Sequence, residues 1–276
     1  MNHVKTQYVS SLAIGIGLLS LVGTATRTVG AQGNTSRDYE APAVFQAAGP
    51  TGASILGTIE QFRLKIGGIN NGNGAAVVGG RREINWDGGG AATTPGPTPF
   101  TTFLNNRGGL FTTPGSGFVQ ALPSGLATTF ANLSYETTFV AFSLQRLFSP
   151  VGSNVTVGQF FIPGTNGGTP ATTVGFGAVF SDVDQPDGSG PGGKRGNRGA
   201  TTLVEYFDYS GNLLYSSYVP ATPGTGGLSF LGAVFPGARI GRVRITTGDL
   251  APGPDDEAAR DIVVMDDFIY GEPVAR

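Results

Sequence analysis

The chain has 276 residues, of which 13% are charged, and its net charge is -2. This balance gives no indication of nucleic acid or an anionic membrane as a partner. There is no cysteine, and the single histidine is His3, so a mature chain that lacks the first residues cannot form a disulfide framework, a Ser-His-Asp triad, a Cys-His dyad or the usual zinc site.

Residues 1–31 have the three-part layout of a secretory signal peptide. A short polar and basic start precedes an apolar run over 12–22, and small residues then allow cleavage after Ala25 or Ala31. The apolar run is too short to span a bilayer comfortably, which disfavours the alternative of an uncleaved membrane anchor. We therefore predict a secreted, extracellular protein with no membrane attachment after cleavage, in which 32–50 is a flexible lead-in.

An amphipathic helix is predicted over 53–66. Its apolar side chains recur every three or four residues and form one stripe: Ile55, Ile59, Phe62 and Ile66. Thr51 or Ser54 is expected to cap the start, and the glycines at 67 and 68 are expected to end the helix.

From residue 81 onward, short β-strand patterns alternate with turn residues. These strands are expected within RREINWDGGG, GLFTTPGSGFVQAL, TTFVAFSLQRLF, VGQFFIPG, TTVGFGAVFSDVD, TLVEYFDYSGNLLYSSYVP, LSFLGAVF, ARIGRVRITTG and DIVVMDDFIYGEP. The clearest hairpin turns at Ser210-Gly211-Asn212. Because no helical pattern separates the strands, the sequence predicts an all-β fold, an antiparallel jelly-roll-like β-sandwich over 51–276 that includes the helix.

Oxygen-bearing side chains lie in or beside three of these apolar strands. The candidate metal ligands are Glu83, Asn85, Asp87, Asp182, Asp184, Asp266 and Asp267. Residues spaced by two share one face of a strand, whereas the adjacent Asp266 and Asp267 are expected on opposite faces unless a bulge intervenes.

Burying an unpaired carboxylate is costly, so these acids need partners. They can bind Ca²⁺, pair with arginines or accept hydrogen bonds from loop amides. Structural calcium is the leading expectation, because oxygen-rich clusters suit that ion.

Several segments together resemble a family of uncharacterised exported bacterial β-sandwich proteins, some of which carry a C-terminal sorting anchor. The segments are GRREINWDG, FGAVFSDVD, VEYFDYSGNLL, LSFLGAVF and VVMDDFIYGEP. The resemblance extends from the helix to Pro273, and it implies export without implying any activity. This chain departs from the anchored members because it ends just after GEPVAR, so retention at the surface is not implied.

A looser similarity connects the chain to jelly-roll carbohydrate-binding modules. Many of those hold calcium between acids on an early strand and an Asp on the final strand. Glu83 or Asp87 and Asp266 or Asp267 occupy the matching places in strand order. The similarity implies a calcium site and says nothing about the ligand.

Two classes of function remain open. The first is a secreted, non-catalytic β-sandwich that binds an extracellular glycan or other polymer, or that serves in surface or matrix assembly. Sugar-binding surfaces usually expose Trp or Tyr, and the candidates are Tyr209, Tyr215 and Tyr218 near the hairpin. Trp86 alternates with Ile84, which predicts a position in the core.

The second class is a carboxylate-dependent glycoside hydrolase or lyase. That chemistry needs two acids at a suitable separation, one of them with a raised pKa. The available acids are Glu83, Asp87, Asp184, Glu205 and Asp208. Because the sequence shows no cleft lined with aromatic residues, the non-catalytic function is favoured.

Overall fold

The structure is a computed structural model, and it describes residues 40–88, 95–186, 199–236, 240–254 and 260–276. The predicted signal peptide and the part of the lead-in over 32–39 lie outside the described residues. None of the helices in the described ranges combines the length and the apolar character that crossing a bilayer requires.

The described residues form short strands and mostly short helices. In chain order these are β1 (Ala43–Gly49), α1 (Gly52–Ile66), β2 (Arg81–Ile84), α2 (Leu104–Arg107), β3 (Gly109–Thr112), β4 (Gly117–Ala121), α3 (Pro123–Phe130), α4 (Tyr135–Thr138), β5 (Leu147–Val151), β6 (Val155–Phe160), β7 (Ala171–Thr172), β8 (Gly175–Ser181), β9 (Leu203–Phe207), β10 (Leu213–Tyr218), β11 (Leu228–Val234), β12 (Arg242–Thr246), β13 (Val264–Gly271) and β14 (Val274–Ala275).

Two antiparallel sheets form the body of the fold. The larger sheet has the order β1-β11-β8-β13-β5-β4, and β2 also pairs with β13. The smaller sheet has the order β10-β9-β12-β6-β3, while β14 and β7 form a short ribbon. The inner faces of the two sheets share one hydrophobic core. The predicted all-β, antiparallel sandwich is confirmed.

Trp86 lies at the centre of this core, as its alternation with Ile84 predicts. Its side chain is fully buried and stacks on Phe148, with ring centroids 3.7 Å apart. The indole Nε1 donates a hydrogen bond to the carbonyl oxygen of Asp266, at 3.1 Å. The polar atom of a buried Trp is thereby satisfied by the backbone of β13.

The predicted helix is confirmed as α1. The four residues of its apolar stripe are all buried, and they pack on the outer face of the larger sheet. The close approach depends on glycine, since a Cβ at Gly232 would lie 2.7 Å from the Phe62 ring. The amide of Gly67 bonds the carbonyl of Arg63 and ends the helix.

Helices α3 and α4 cover another part of the larger sheet. Their residues Leu126, Phe130 and Tyr135 pack with Leu147 and Val264 of that sheet. With α1 covering the rest of this face, β8, β11 and β13 are buried along their whole length. By contrast, β6, β9 and β12 alternate between buried and more exposed residues. The smaller sheet therefore presents an accessible outer face.

Part of the predicted flexible lead-in over 32–50 is instead a strand, at residues 43–49. These residues form β1, which pairs antiparallel with all of β11. Phe45 and Ala47 also pack against the cluster beneath α1. This partner lies far along the chain, so the local composition of small and polar residues did not reveal it.

The segment TTFVAFSLQRLF is mostly not a strand, contrary to expectation. Its first residues end α4, residues 139–146 form a loop, and β5 begins only at Leu147. Helices α2, α3 and α4 were not predicted either. The loop over 139–146 supplies backbone amides that bond candidate acids on other parts of the chain.

Candidate functional site

Asp266 and Asp267 contact the same residue, Ser143, instead of lying on opposite faces of a regular strand, because a bulge intervenes. The pairing of β13 with β8 shifts register between Met265 and Phe268, which is a β-bulge that redirects a side chain. The Ser143 hydroxyl donates to Asp267 Oδ1 at 2.5 Å and lies 3.4 Å from Asp266 Oδ1. The bulge thus brings both carboxylates to one loop.

Acidic side chains on β13 and just after β2 bond the backbone of the 139–146 loop, in the way that a neighbouring strand would bond a strand. Asp266 Oδ2 accepts hydrogen bonds from the amides of Phe142 and Ser143, at 2.6 and 3.3 Å. Asp87 Oδ1 accepts from the amides of Gln145 and Arg146, each at 3.1 Å. These carboxylates satisfy amide groups that a strand would pair with its neighbour.

Glu83 is paired with arginines. Arg63 on α1 donates to both of its oxygens, at 3.1 Å from Nε and 2.7 Å from Nη2, and Arg81 also bonds it. The same Nη2 lies 3.6 Å from Asp267 Oδ2. The Arg63 guanidinium therefore bridges the acids of β2 and β13, with Asn85 half-buried at the end of β2.

Burial sets the electrostatics of this acid pair. It raises the pKa of Asp266 well above the ordinary value, and the neighbouring Asp267 charge adds to the rise. Burial also raises the pKa of Asp267, although Ser143 and Arg63 oppose the shift. The pair therefore favours its protonated form more than exposed carboxyls do.

Asp182 and Asp184 form a separate group at the end of β8. Asp182 Oδ1 accepts from the amide of Gly226 at 3.2 Å, and Asp184 Oδ1 accepts from the amide of Gly224 at 3.0 Å. Asp182 itself has a left-handed backbone, with φ of 71°. These two acids therefore organise the loop before β11.

Asp261 belongs to the same region and was missed by sequence reasoning. Its side chain is 1% exposed, and it accepts hydrogen bonds from the Asp184 amide at 3.1 Å and from the Thr201 hydroxyl. Burial raises the pKa of Asp261 to about 6. Its place at the start of the apolar run IVVM was a signal of burial that could have identified it.

The predicted calcium ligands are divided among these groups. Within the described ranges, no three or more His, Cys, Asp or Glu side chains are arranged so that they could hold a metal ion together. Ca²⁺ takes six to eight oxygens, whereas most of these carboxylates already bond arginines or amides. Asp87 Oδ2 is buried and has no hydrogen-bond partner among the described residues. Calcium binding stays a prediction.

A pocket of about 180 Å³ opens at one end of the smaller sheet, and we refer to it as the Tyr209 pocket. It is lined by Gln159, Asp208, Tyr209, Gly211, Gly241 and Arg242. Gln159 and Tyr209 are exposed, and Arg242 is half-buried. The pocket therefore combines an aromatic ring with amide, carboxylate and guanidinium groups.

Sheet pairing and one tight turn build the Tyr209 pocket. Arg242 on β12 lies directly beside Gln159 on β6 and Phe207 on β9, so the three side chains share the outer face. The hairpin turn then folds against the start of β12, where a Cβ at Gly241 would lie 2.7 Å from Tyr209 Cα. A larger residue at 241 would push the turn away.

Aromatic rings orient the cations near the pocket. The Arg242 guanidinium lies 4.3 Å from the centroid of the Phe207 ring, and the Arg276 guanidinium covers one face of Tyr209 at 3.8 Å. Of the tyrosines predicted to be exposed, Tyr209 is 45% and Tyr218 is 53% exposed. Tyr215 is partly buried against the core.

The sequence indicates Asp208 as an available acid, Tyr209 as an exposed aromatic and Arg242 only as an ion-pair partner for acids. Gln159 is not indicated at all. Gln159 and Arg242 lie on strands far apart in the sequence, and only the sheet register brings them together. Their outward positions on alternating strands were the available signal.

Comparison with known proteins adds no family to this description. The chain matches no protein-family model, and it matches no curated protein at a significant level. The resemblances stated above on sequence motifs stay predictions.

Proposed function

We propose that this protein is an exported, non-catalytic β-sandwich that binds an extracellular glycan through the Tyr209 pocket. The observation that carries the proposal is the Tyr209 pocket itself, on the accessible outer face of the smaller sheet. The larger sheet is unsuited to this role, because its central strands are buried on both faces.

The chemistry of the pocket suits a sugar ring. Tyr209 offers an amphipathic aromatic surface, while the Gln159 amide and the Arg242 guanidinium offer planar hydrogen-bonding groups to hydroxyls. The volume of about 180 Å³ is below the roughly 300–1,000 Å³ of sites for drug-sized ligands. The pocket would therefore hold about one ring of a longer polymer.

The acidic side chains are bonded to other groups of the protein, which supports a non-catalytic role. Glu83 is bonded to Arg63 and Arg81, and Glu205 pairs with Arg244 at 2.9 Å. A glycosidase needs a carboxylic acid and a carboxylate facing one substrate bond. The acids with raised pKa values are buried and bond the protein's own loops and side chains instead.

A glycan array with matched tyrosine variants tests this function. We expect the exported protein to bind a defined group of glycans and Tyr209→Ala to lose about tenfold or more in affinity, in line with the loss of a ring contact. Tyr218→Ala is the control, because Tyr218 is also exposed and lies on β10 outside the pocket lining. It should bind like the unaltered protein.

Three outcomes would contradict the proposal. Equal losses of affinity in the two tyrosine variants would show that the glycan does not bind specifically in the pocket. Silence on the array, together with concentration-dependent assembly in analytical ultracentrifugation, would favour a role in surface or matrix assembly. Sustained release of reducing sugar in a polysaccharide hydrolysis screen would favour the glycosidase or lyase alternative.

A further inference from the structure

We infer that the Tyr209 pocket selects acidic sugars, and that Arg242 binds the anionic group on the sugar ring. The inference rests on the proposed function, since it names the class of glycan that the pocket takes. The shared chemistry is a carboxylate or a sulfate ester on a sugar.

The first support is that Arg242 has neither a partner for its Nε nor a counter-charge among the described residues. Its Nε is buried and has no hydrogen-bond partner among the described residues. Within those residues no carboxylate forms an ion pair with it, whereas Arg63, Arg82 and Arg244 each pair with a glutamate. A partly buried cation without a counter-charge is less well stabilised than a paired one, so an incoming anion adds more binding energy here than at a paired arginine.

The second support is the orientation of the guanidinium. Arg242 lies against the Phe207 ring, which holds the planar group in one orientation. A fixed guanidinium can present two parallel N–H donors to a carboxylate or a sulfate, which a lysine cannot do. Because Gln159 lies beside Arg242 in the sheet register, its amide can bond an adjacent hydroxyl of the same ring.

The charges around the pocket agree with an anionic ligand. Arg276 adds a second cation over Tyr209. Asp208 is the acid in the lining, and its two carboxylate oxygens accept hydrogen bonds from the backbone and side-chain amides of Asn212, at 2.9 and 2.8 Å. Those bonds hold Asp208 in the hairpin turn, so the guanidinium groups are the ones that can bond a ligand's anionic group.

Calorimetric titration with three probes tests this selectivity. The probes are oligogalacturonides, the same oligosaccharides as neutral methyl esters, and sulfated galactan oligosaccharides of equal length. We expect at least one anionic probe to bind about tenfold or more tightly than the neutral esters, in line with charge-assisted hydrogen bonds. The carboxylated and sulfated arms identify which anion the pocket prefers.

Variants of β12 separate a specific contact from general attraction. Arg242→Gln should remove the preference for the anionic probe, and Arg242→Lys should restore only part of it. Arg244→Gln is the control, because it removes the same charge from the same face of the strand at a residue already paired with Glu205. Its affinity should stay within about twofold, a small effect typical of exposed pairs.

Each remaining outcome contradicts the inference. Equal losses in Arg242→Gln and Arg244→Gln would mean general electrostatic attraction. Tight, Tyr209-dependent binding of neutral sugars with no effect of Arg242→Gln would overturn the acidic preference and leave the proposed function standing. Failure of every glycan to bind would overturn both. Thermal melts of each variant exclude unfolding as the cause of a loss.

Discussion

Ser143 and Asp267 are joined by a hydrogen bond of 2.5 Å between the hydroxyl and Oδ1. The bond connects the last long strand of the larger sheet to the 139–146 loop. Asp266 and Asp87 hold two pairs of amides in the same loop. The acidic residues that suggested a ligand site thus act first as internal anchors.

The anchoring by Asp87 predicts a local effect. Asp87→Ala removes the acceptor for the amides of Gln145 and Arg146, and it should lower the free energy of unfolding by about 1–3 kcal/mol. Hydrogen exchange should show faster exchange at those two amides. Asp87→Asn keeps an acceptor oxygen and serves as the control. Unchanged exchange in the alanine variant would contradict the anchoring role.

The position of Arg63 between two acids predicts where calcium would bind if Arg63 were replaced. Arg63 supplies positive charge between Glu83 and Asp267. Its removal leaves Asp267 without that charge and Glu83 with Arg81 alone, which favours binding of an added cation. Calcium added after EDTA treatment should raise the melting temperature of Arg63→Gln more than that of the unaltered protein. Lys65→Gln, which removes an exposed cation from the same helix, is the control. Equal shifts in all three proteins would contradict this prediction.

Much of the fold was predictable because its signals are local. The stripe of α1, the alternation around Trp86 and the hairpin of β9 and β10 are each set by neighbouring residues, and all are confirmed. The 139–146 loop was not predictable in this way. Its apolar and β-branched residues favour a strand, but the groups that bond its amides are Asp87 and Asp266, which lie far along the chain.

The same reason limits what the sequence reveals about the sites. Strand periodicity placed Asp266 and Asp267 on opposite faces, and a bulge that depends on pairing with β8 reversed this. Gln159 and Arg242 become neighbours only through the register of β6 and β12. Residue types indicated which chemistry was available, while sheet pairing decided which groups meet.

The buried ion pair between Arg82 and Glu272 should show strong coupling. The carboxylate bonds Arg82 at 2.6 and 2.7 Å, and Nη1 and Nη2 each bond a loop carbonyl, of Gly72 and Ala75, at 2.8 Å. Glu272→Gln should cost about 3–5 kcal/mol, because it leaves a buried charge without its partner. Chemical denaturation measures this cost.

A double-variant cycle tests whether this cost comes from the pair. The double variant Arg82→Met with Glu272→Gln should lose less free energy of unfolding than the two single variants lose in total. The difference should be at least about 1 kcal/mol. Arg244→Gln removes an arginine from an exposed pair and should cost at most about 1 kcal/mol. Strict additivity at Arg82 and Glu272 would show that the pair contributes little.

The buried acids predict that stability falls as the pH rises from 5 to 7.5. Burial raises the pKa of Asp261 to about 6, above the roughly 3.9 of an exposed Asp. The folded state therefore binds the proton more tightly than the unfolded state, so stability is lost as the pH rises from the unfolded pKa through about 6 and is level above that. Asp261 alone should contribute about 1.4 kcal/mol over this interval, and Asp266 and Asp267 shift stability in the same direction.

Fluorescence of the single, buried Trp86 during urea unfolding at each pH measures this dependence. Asp261→Asn keeps an acceptor for the Asp184 amide and cannot ionise, so its free energy of unfolding should change less between the two pH values. The difference between the two proteins isolates Asp261 from the pair on β13. Stability that rises from pH 5 to 7.5, or an identical slope in the variant, would refute the assignment, because a carboxyl whose pKa is raised on folding makes the folded state less stable as the pH rises through that pKa.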